Sequence, residues 1–139
     1  MLYNTKSEKL SNNFTLDELL YSRIANEHGL LNKPNSMQLA ALRDLVTNVL
    51  QPLRDFLGAP IAITSGFRSP EVNRLAGGVP SSQHIRGEAA DCYVPDGPQF
   101  LLQKLLDSGI EFDQVILYRK KKFLHISYRK GKNRRQVLG

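Results

Sequence analysis

At 139 residues, 41% of them hydrophobic, the chain is long enough to bury one core and too short for two, so one domain is expected. It holds no apolar run of bilayer-spanning length, and its polar start, MLYNTKSEKLSNNF, is unlike a secretory signal, which leaves the product in the cytoplasm as synthesised. Its single cysteine, Cys92, excludes a disulfide framework and an all-cysteine zinc finger; the formal charge of +6 is a late feature, since residues 114–139 carry nine basic residues and no acidic one.

In chain order, residues 1–13 read as a flexible N-terminal arm and residues 14–139 as the single domain. FTLDELLYSRIANEHGL starts with a short helix, in which Thr15 and Glu18 have the spacing of a capping box. His28, near the end of that segment, suits a C-terminal capping or surface role. From Ser36 to Gly58 the apolar residues Leu42, Leu45, Val46, Val49, Leu50, Leu53, Phe56 and Leu57 recur at helical spacing. This is the expected core helix, bent or split by Pro52, which removes a backbone donor. PIAITSG reads as a buried strand. SPEVNRLAGG reads as a short helix with Ser69 as cap, Pro70 at the first position and Gly77 as terminator. Ala89 to Val94 form a strand, and DGPQFLLQKLLDSG a second amphipathic helix running from Pro98 to Gly109. FDQVILY and KFLHISY, joined by a basic turn, are expected to pair as an antiparallel hairpin.

Strand alternation sorts the polar residues. In AADCYV, Ala90, Cys92 and Val94 share one face and leave Asp91 on the other. In FLHISY, Leu124 and Ile126 share a face while His125 points away from them. His84, upstream of Asp91 and separated from its strand by Gly87, can reach the same spot. Two imidazoles and one carboxylate suit zinc (Zn2+) and leave a fourth position for water, the pattern of a catalytic site. The competing reading is that such lone polar residues merely face solvent.

The segments SGFRSPEVNRLAGGVPSSQHIRGEAAD and FLHISY, with KNRRQVLG after them, resemble the zinc peptidases of bacterial peptidoglycan of the D-alanyl-D-alanine carboxypeptidase type. They are also similar to vancomycin-resistance dipeptidases, phage L-alanyl-D-glutamate endopeptidases and the hedgehog signalling domain. Ser82, His84 and Asp91 match the core pattern, and His125 the late histidine; the resemblance covers residues 14–139. It implies an α+β domain, with an antiparallel central sheet and helices packed on one face, and zinc held by His84, Asp91 and His125. It also implies that Arg68 faces the substrate beside the metal, while Ser82 and Gln83 orient the ligand loop. Where relatives carry a general base this chain has Lys122 and Tyr118; Tyr118 can donate to an oxyanion, and Glu88 is the nearest carboxylate in sequence to act as base.

Three functions follow as expectations. The first is a zinc metallopeptidase that hydrolyses an amide bond in peptidoglycan stem peptides. The second is a catalytically impaired, zinc-containing module that binds wall peptides. The third, a nucleic-acid binder, has only charge behind it, and no aromatic residues interleave with the basic ones in RKKK or RKGKNRR. Those basic runs suit an anionic wall polymer, or else form a solvated turn and tail. A wall enzyme without an export signal matches a phage or prophage lysis protein.

Overall fold

Two short helices open the described part of the chain in the computed structural model, which covers residues 8–139. Helix α1 (Leu16–Leu20) starts from the capping box: Glu18 N–H donates to Thr15 Oγ1 at 3.3 Å, and Thr15 N–H donates to Glu18 Oε1 at 2.9 Å. The helix does not continue through the segment. Tyr21 is extended, and Ser22 caps a second helix, α2 (Arg23–His28), by accepting the Ala25 N–H at 3.0 Å. A serine hydroxyl offers the backbone an alternative partner, which is why this sequence stops and restarts there. His28 is the exposed last residue of α2.

The expected core helix spans α3 (Ser36–Leu45), a π-helical turn (Val46–Leu50) and α4 (Gln51–Leu57). Pro52 does not split it, since helical structure continues on both sides of the residue. The widened π turn just before the proline absorbs the missing N–H and the bulk of its ring. Leu42, Leu45, Val46, Val49, Leu50 and Leu53 are fully buried along this rod. Strand β1 (Ala62–Ser65), helix α5 (Pro70–Leu75), strand β2 (Ala89–Tyr93), helix α6 (Pro98–Ser108) and the hairpin strands β3 (Gln114–Tyr118) and β4 (Phe123–Ser127) follow in the expected order.

The sheet has the order β1-β2-β4-β3-β5. Its β1–β2, β2–β4 and β3–β4 pairs are antiparallel, and the fold is α+β. Ala90, Cys92, Val115, Leu117, Leu124 and Ile126 turn towards the α3–α4 rod and towards Leu101 and Leu105 of α6, forming one core. The other face carries Asp91 and His125. The tail is not a solvated extension: Gln136–Leu138 form a fifth strand, β5, parallel to β3. Arg135 N–H donates to Phe112 O at 3.1 Å and Gln136 N–H to Asp113 O at 2.9 Å, so the chain is already tied down as it enters the strand. The free edge of β3 needed backbone partners, and this segment supplies them.

Of the arm expected over residues 1–13, residues 1–7 lie outside the described residues. Residues 8–13 are held to the domain. Leu10 N–H donates to Phe14 O at 2.8 Å, Ser11 and Asn13 bond the Gln51 side chain, and Glu8 pairs with Arg43. No helix among the described residues is long and apolar enough to cross a membrane.

The loop that carries His84 returns to the sheet through Gly87, at φ 75°, where a Cβ would overlap the Gln38 carbonyl of α3. Gly77 has a similar φ of 80° but open space around it. Both Gly→Ala variants should lose about 1–2 kcal/mol for the left-handed backbone. Gly87→Ala should lose more, read as a larger fall in thermal midpoint. Equal falls would mean that α3 yields freely at this contact.

Candidate metal centre

Strands β2 and β4 are antiparallel neighbours, and Asp91 stands directly opposite His125 in their register. Alternation turns both side chains off the core face, and His84 descends on them from the loop between α5 and β2. The three residues are buried and offer ligand atoms that lie within 4.8 Å of one another. His84 Nε2 is 3.2 Å and His125 Nδ1 is 3.0 Å from the same oxygen, Asp91 Oδ1.

The hydrogen bonds around His84 say what belongs between these atoms. Its Nδ1 lies 2.7 Å from the Gly66 carbonyl oxygen, which can only accept, so Nδ1 carries a proton, and in the neutral ring Nε2 presents a lone pair. That lone pair faces a carboxylate oxygen, an arrangement that asks for a cation between the two. Two imidazole nitrogens and a carboxylate oxygen fit a divalent metal of the zinc type. Burial alone would push the Asp91 carboxyl up; with the two rings protonated, hydrogen bonds from His125 and His84 and the charge they carry outweigh it and hold the group well below the usual carboxylate range.

Local structure sets each ligand. Gly66 runs so close to α1 that a Cβ would overlap the Leu19 carbonyl, which also accepts the Phe67 N–H at 2.8 Å. Ser82 Oγ accepts the His84 N–H at 3.2 Å, and the His84 carbonyl accepts the Arg68 N–H at 3.1 Å. The Asn32 side chain bonds Leu20 O, Phe67 O and Ser69 N–H, clamping the segment that carries Arg68.

Arg68 is held beside the triad by Ser65 Oγ at 3.0 Å, Asn73 Oδ1 at 3.2 Å and Asp91 Oδ2 at 3.3 Å. Burial lowers its pKa, with Asp91 and Tyr118 opposing, but a guanidinium remains charged. These bonds use three of its five N–H donors, which leaves the others for a ligand in the cleft. That cleft, of about 530 Å³, is also lined by Tyr118, whose ring stacks on Phe123 at 4.5 Å.

Glu88 does not face the metal centre. Its carboxylate accepts from Arg86 Nε at 3.0 Å and Gln83 Nε2 at 3.2 Å and borders a separate hollow with Ala41 and Tyr128. Residue 88 precedes β2, and Glu88 is not among the residues that line the cleft, although its partners Gln83, Arg86 and Arg129 are. Lys122 sits at φ 62° in the β3–β4 turn and does not line the cleft; Lys121 does.

Sequence reasoning passed over Asp113 and Arg134. Asp113 is fully buried just before β3. It accepts from Arg134 Nε and Nη2, both at 2.9 Å, from the Arg134 N–H at 3.0 Å and from Gln83 Nε2 at 2.9 Å. Gln83 therefore links the residue beside His84 to the C-terminal segment. Ser65 and Asn73 were missed as well. Ser65 pairs with Asp91 across β1–β2 only because the register shifts between Ile63 and Ser65; unbroken alternation would have set Thr64 opposite Asp91, so the sequence pattern carried no signal for Ser65.

A family model described as peptidase M15 matches residues 12–127, a span that includes His84, Asp91 and His125. The chain belongs to the peptidase M15 family. This is a family of metal-dependent, zinc D-Ala-D-Ala carboxypeptidase-like peptidases, and a buried His-Asp-His cluster is what such an enzyme requires. No curated protein matches the chain. The peptidase match stops at Ser127, so KNRRQVLG lies beyond it.

Burial pushes the Asp113 carboxyl up, but the bonds from Arg134 and Gln83 outweigh this and hold it below its ordinary value. A group with a lowered folded pKa adds stability above the unfolded pKa, and that stability is lost as pH falls through the folded value. Asp113→Asn should therefore cost about 2 kcal/mol at neutral pH, the scale of charge-assisted bonds. The gap from the native protein should close as pH drops below about 4. A gap that stayed constant in denaturant titrations down to about pH 2 would mean that the carboxylate charge is not what matters.

Proposed function

We propose that this M15 peptidase is a zinc enzyme that hydrolyses an amide bond in peptidoglycan stem peptides, as a D-Ala-D-Ala carboxypeptidase or an endopeptidase. The observation that carries the reading is the His84 lone pair aimed at Asp91 Oδ1, with His125 beside it, at the floor of a cleft that Arg68 also lines. Zinc bound there would supply Lewis acidity, bringing the pKa of a water towards neutrality and polarising the scissile carbonyl. The chain's own residues orient the substrate. Arg68 and Tyr118 both line the cleft, so the unused N–H groups of Arg68 would donate to a carbonyl oxygen as it gains charge, with the Tyr118 hydroxyl as another donor. Gly66 and Ser82 keep His84 in the tautomer and position that a ligand needs.

A second reading, a zinc-containing module that binds wall peptides without cutting them, has one observation in its favour. Asp91, itself a ligand candidate, is the only carboxylate among the described residues that line the cleft. A proton acceptor for the attacking water is then either solvent or Asp91 itself. Purified peptidoglycan incubated with the zinc-loaded protein separates the two readings. New peptide termini mean hydrolysis; retention on the wall without them means a binding module.

For the hydrolase, Asp91→Asn and His125→Ala should abolish release of termini and bound zinc together. Arg68→Lys should keep the metal but lower kcat by about a hundredfold, the scale for a lost oxyanion donor. Full activity in Arg68→Lys would remove Arg68 from the reaction.

Basic residues outside the cleft, Lys120, Lys130 and Lys132, are exposed and suit an anionic wall polymer. Wall retention should weaken as salt rises past about 0.1 M, where screening over roughly 10 Å takes hold. Deleting the tail is a poor control, because β5 and the Arg134–Asp113 pair would go with it. Glutamine at the three lysines is the cleaner one; retention that stayed salt-sensitive in that triple variant would place the polymer contact elsewhere.

A further inference from the structure

The cleft above the metal centre is charged unevenly. Arg68, Arg86, Lys121, Arg129 and Arg134 line it, against Asp91 as the sole lining carboxylate among the described residues. Three of these cations are committed to the protein: Arg68 to Asp91, Arg86 to Glu88 and Arg134 to Asp113. Arg129 lies 3.9 Å from Glu88, a carboxylate that Arg86 already holds at 3.0 Å. Lys121 has neither a hydrogen bond nor an ion pair among the described residues. Two cations therefore face the cleft with little or nothing to neutralise them.

Their placement is as informative as their number. Lys121 lies in the turn four residues before His125, and Arg129 lies four residues after it, beyond the other end of β4. Four residues span at most about 14 Å, so the backbone of each cation lies within about four extended peptide residues of His125, towards opposite ends of β4. Confinement between low-dielectric walls strengthens the field of such charges. A peptide backbone is neutral, so only terminal or side-chain carboxylates can meet them.

Resting on the peptidase reading, we infer that the cleft selects peptides with a free carboxylate on each side of the scissile amide, and that Lys121 and Arg129 are the specificity-determining residues that read them. A carboxamide has nearly the same shape without the charge, so it is rejected. The enzyme then distinguishes amidated from unamidated stem peptides, which differ in little else.

Four synthetic peptides of one sequence test this: the dicarboxylate, each single carboxamide and the diamide. Hydrolysis by the zinc-loaded protein is read as kcat/KM. Binding is read separately, by competition, with the same peptides N-methylated at the scissile amide so that they resist cleavage. Each amidation should lower both kcat/KM and affinity about tenfold, and the difference should narrow as ionic strength rises from about 0.05 to about 0.5 M. Lys121→Gln should level the preference at one position and Arg129→Gln at the other. Both side chains are at least partly exposed, so either variant should fold. Equal binding of dicarboxylate and diamide would overturn the inference, as would variants that keep the full preference. If none of the peptides is cut but the carboxylate preference in binding persists, the peptidase reading fails and the charge selection stands.

Discussion

Asp91 is a carboxylate buried at the middle of a sheet, and most of what surrounds it can be understood as the cost of keeping it charged. Removing an ionised carboxyl from water is expensive unless partners replace the solvent. Here His84, His125 and Arg68 all bond it, at 3.2, 3.0 and 3.3 Å. The same need suits it to holding a metal ion together with His84 and His125, because a divalent cation compensates the charge more completely than a shared proton does. A single row across the sheet, Ser65, Asp91, His125 and Ile116, puts these groups side by side, with the register shift between Ile63 and Ser65 bringing Ser65 into line.

The surrounding contacts come from segments far apart in the chain, and each removes one freedom from the centre. Leu19 fixes the path of Gly66, Gly66 fixes the tautomer of His84, and Asn32 fixes the segment that carries Arg68. On the other side Gln83, Asp113 and Arg134 connect the ligand loop to the last strand. The loop thus has no free segment around His84. It is anchored at Ser82, at Gln83 and, through the tight approach of Gly87, at α3.

Short-range physics made the elements and the triad readable from the sequence. Period-2 alternation lifted Asp91 and His125 off the apolar face, and capping residues such as Thr15, Ser69 and Pro70 marked where helices begin. The failures have one cause, which is that pairings between distant segments leave no local trace. QVL reads as a tail until β3 offers it an edge, and nothing near Asp113 in the sequence announces Arg134, 21 positions later, as its partner. Glu88 is close to His84 in sequence, and after the turn at Gly87 its carboxylate meets Arg86 and Gln83. The break at Ser22 and the π turn before Pro52 were local, and the residues responsible were visible; only the form of the adjustment was not.

The basic C-terminal region looks uniform in composition and is not uniform in the fold. Arg134 is bound to a buried carboxylate; Arg135 sits 4.9 Å from the Phe112 ring and donates to Ile110 O, so both serve the fold. Arg119 bonds Gln99 of α6. Lys121 and Arg129 look into the cleft, and only the remaining lysines are free for a surface partner. Counting nine positive charges therefore overstates any electrostatic footprint on a polymer, since several are neutralised or enclosed before a partner arrives. A charge run of this kind divides into structural, cleft-facing and solvent-facing groups, and the division follows the strand register that places each residue.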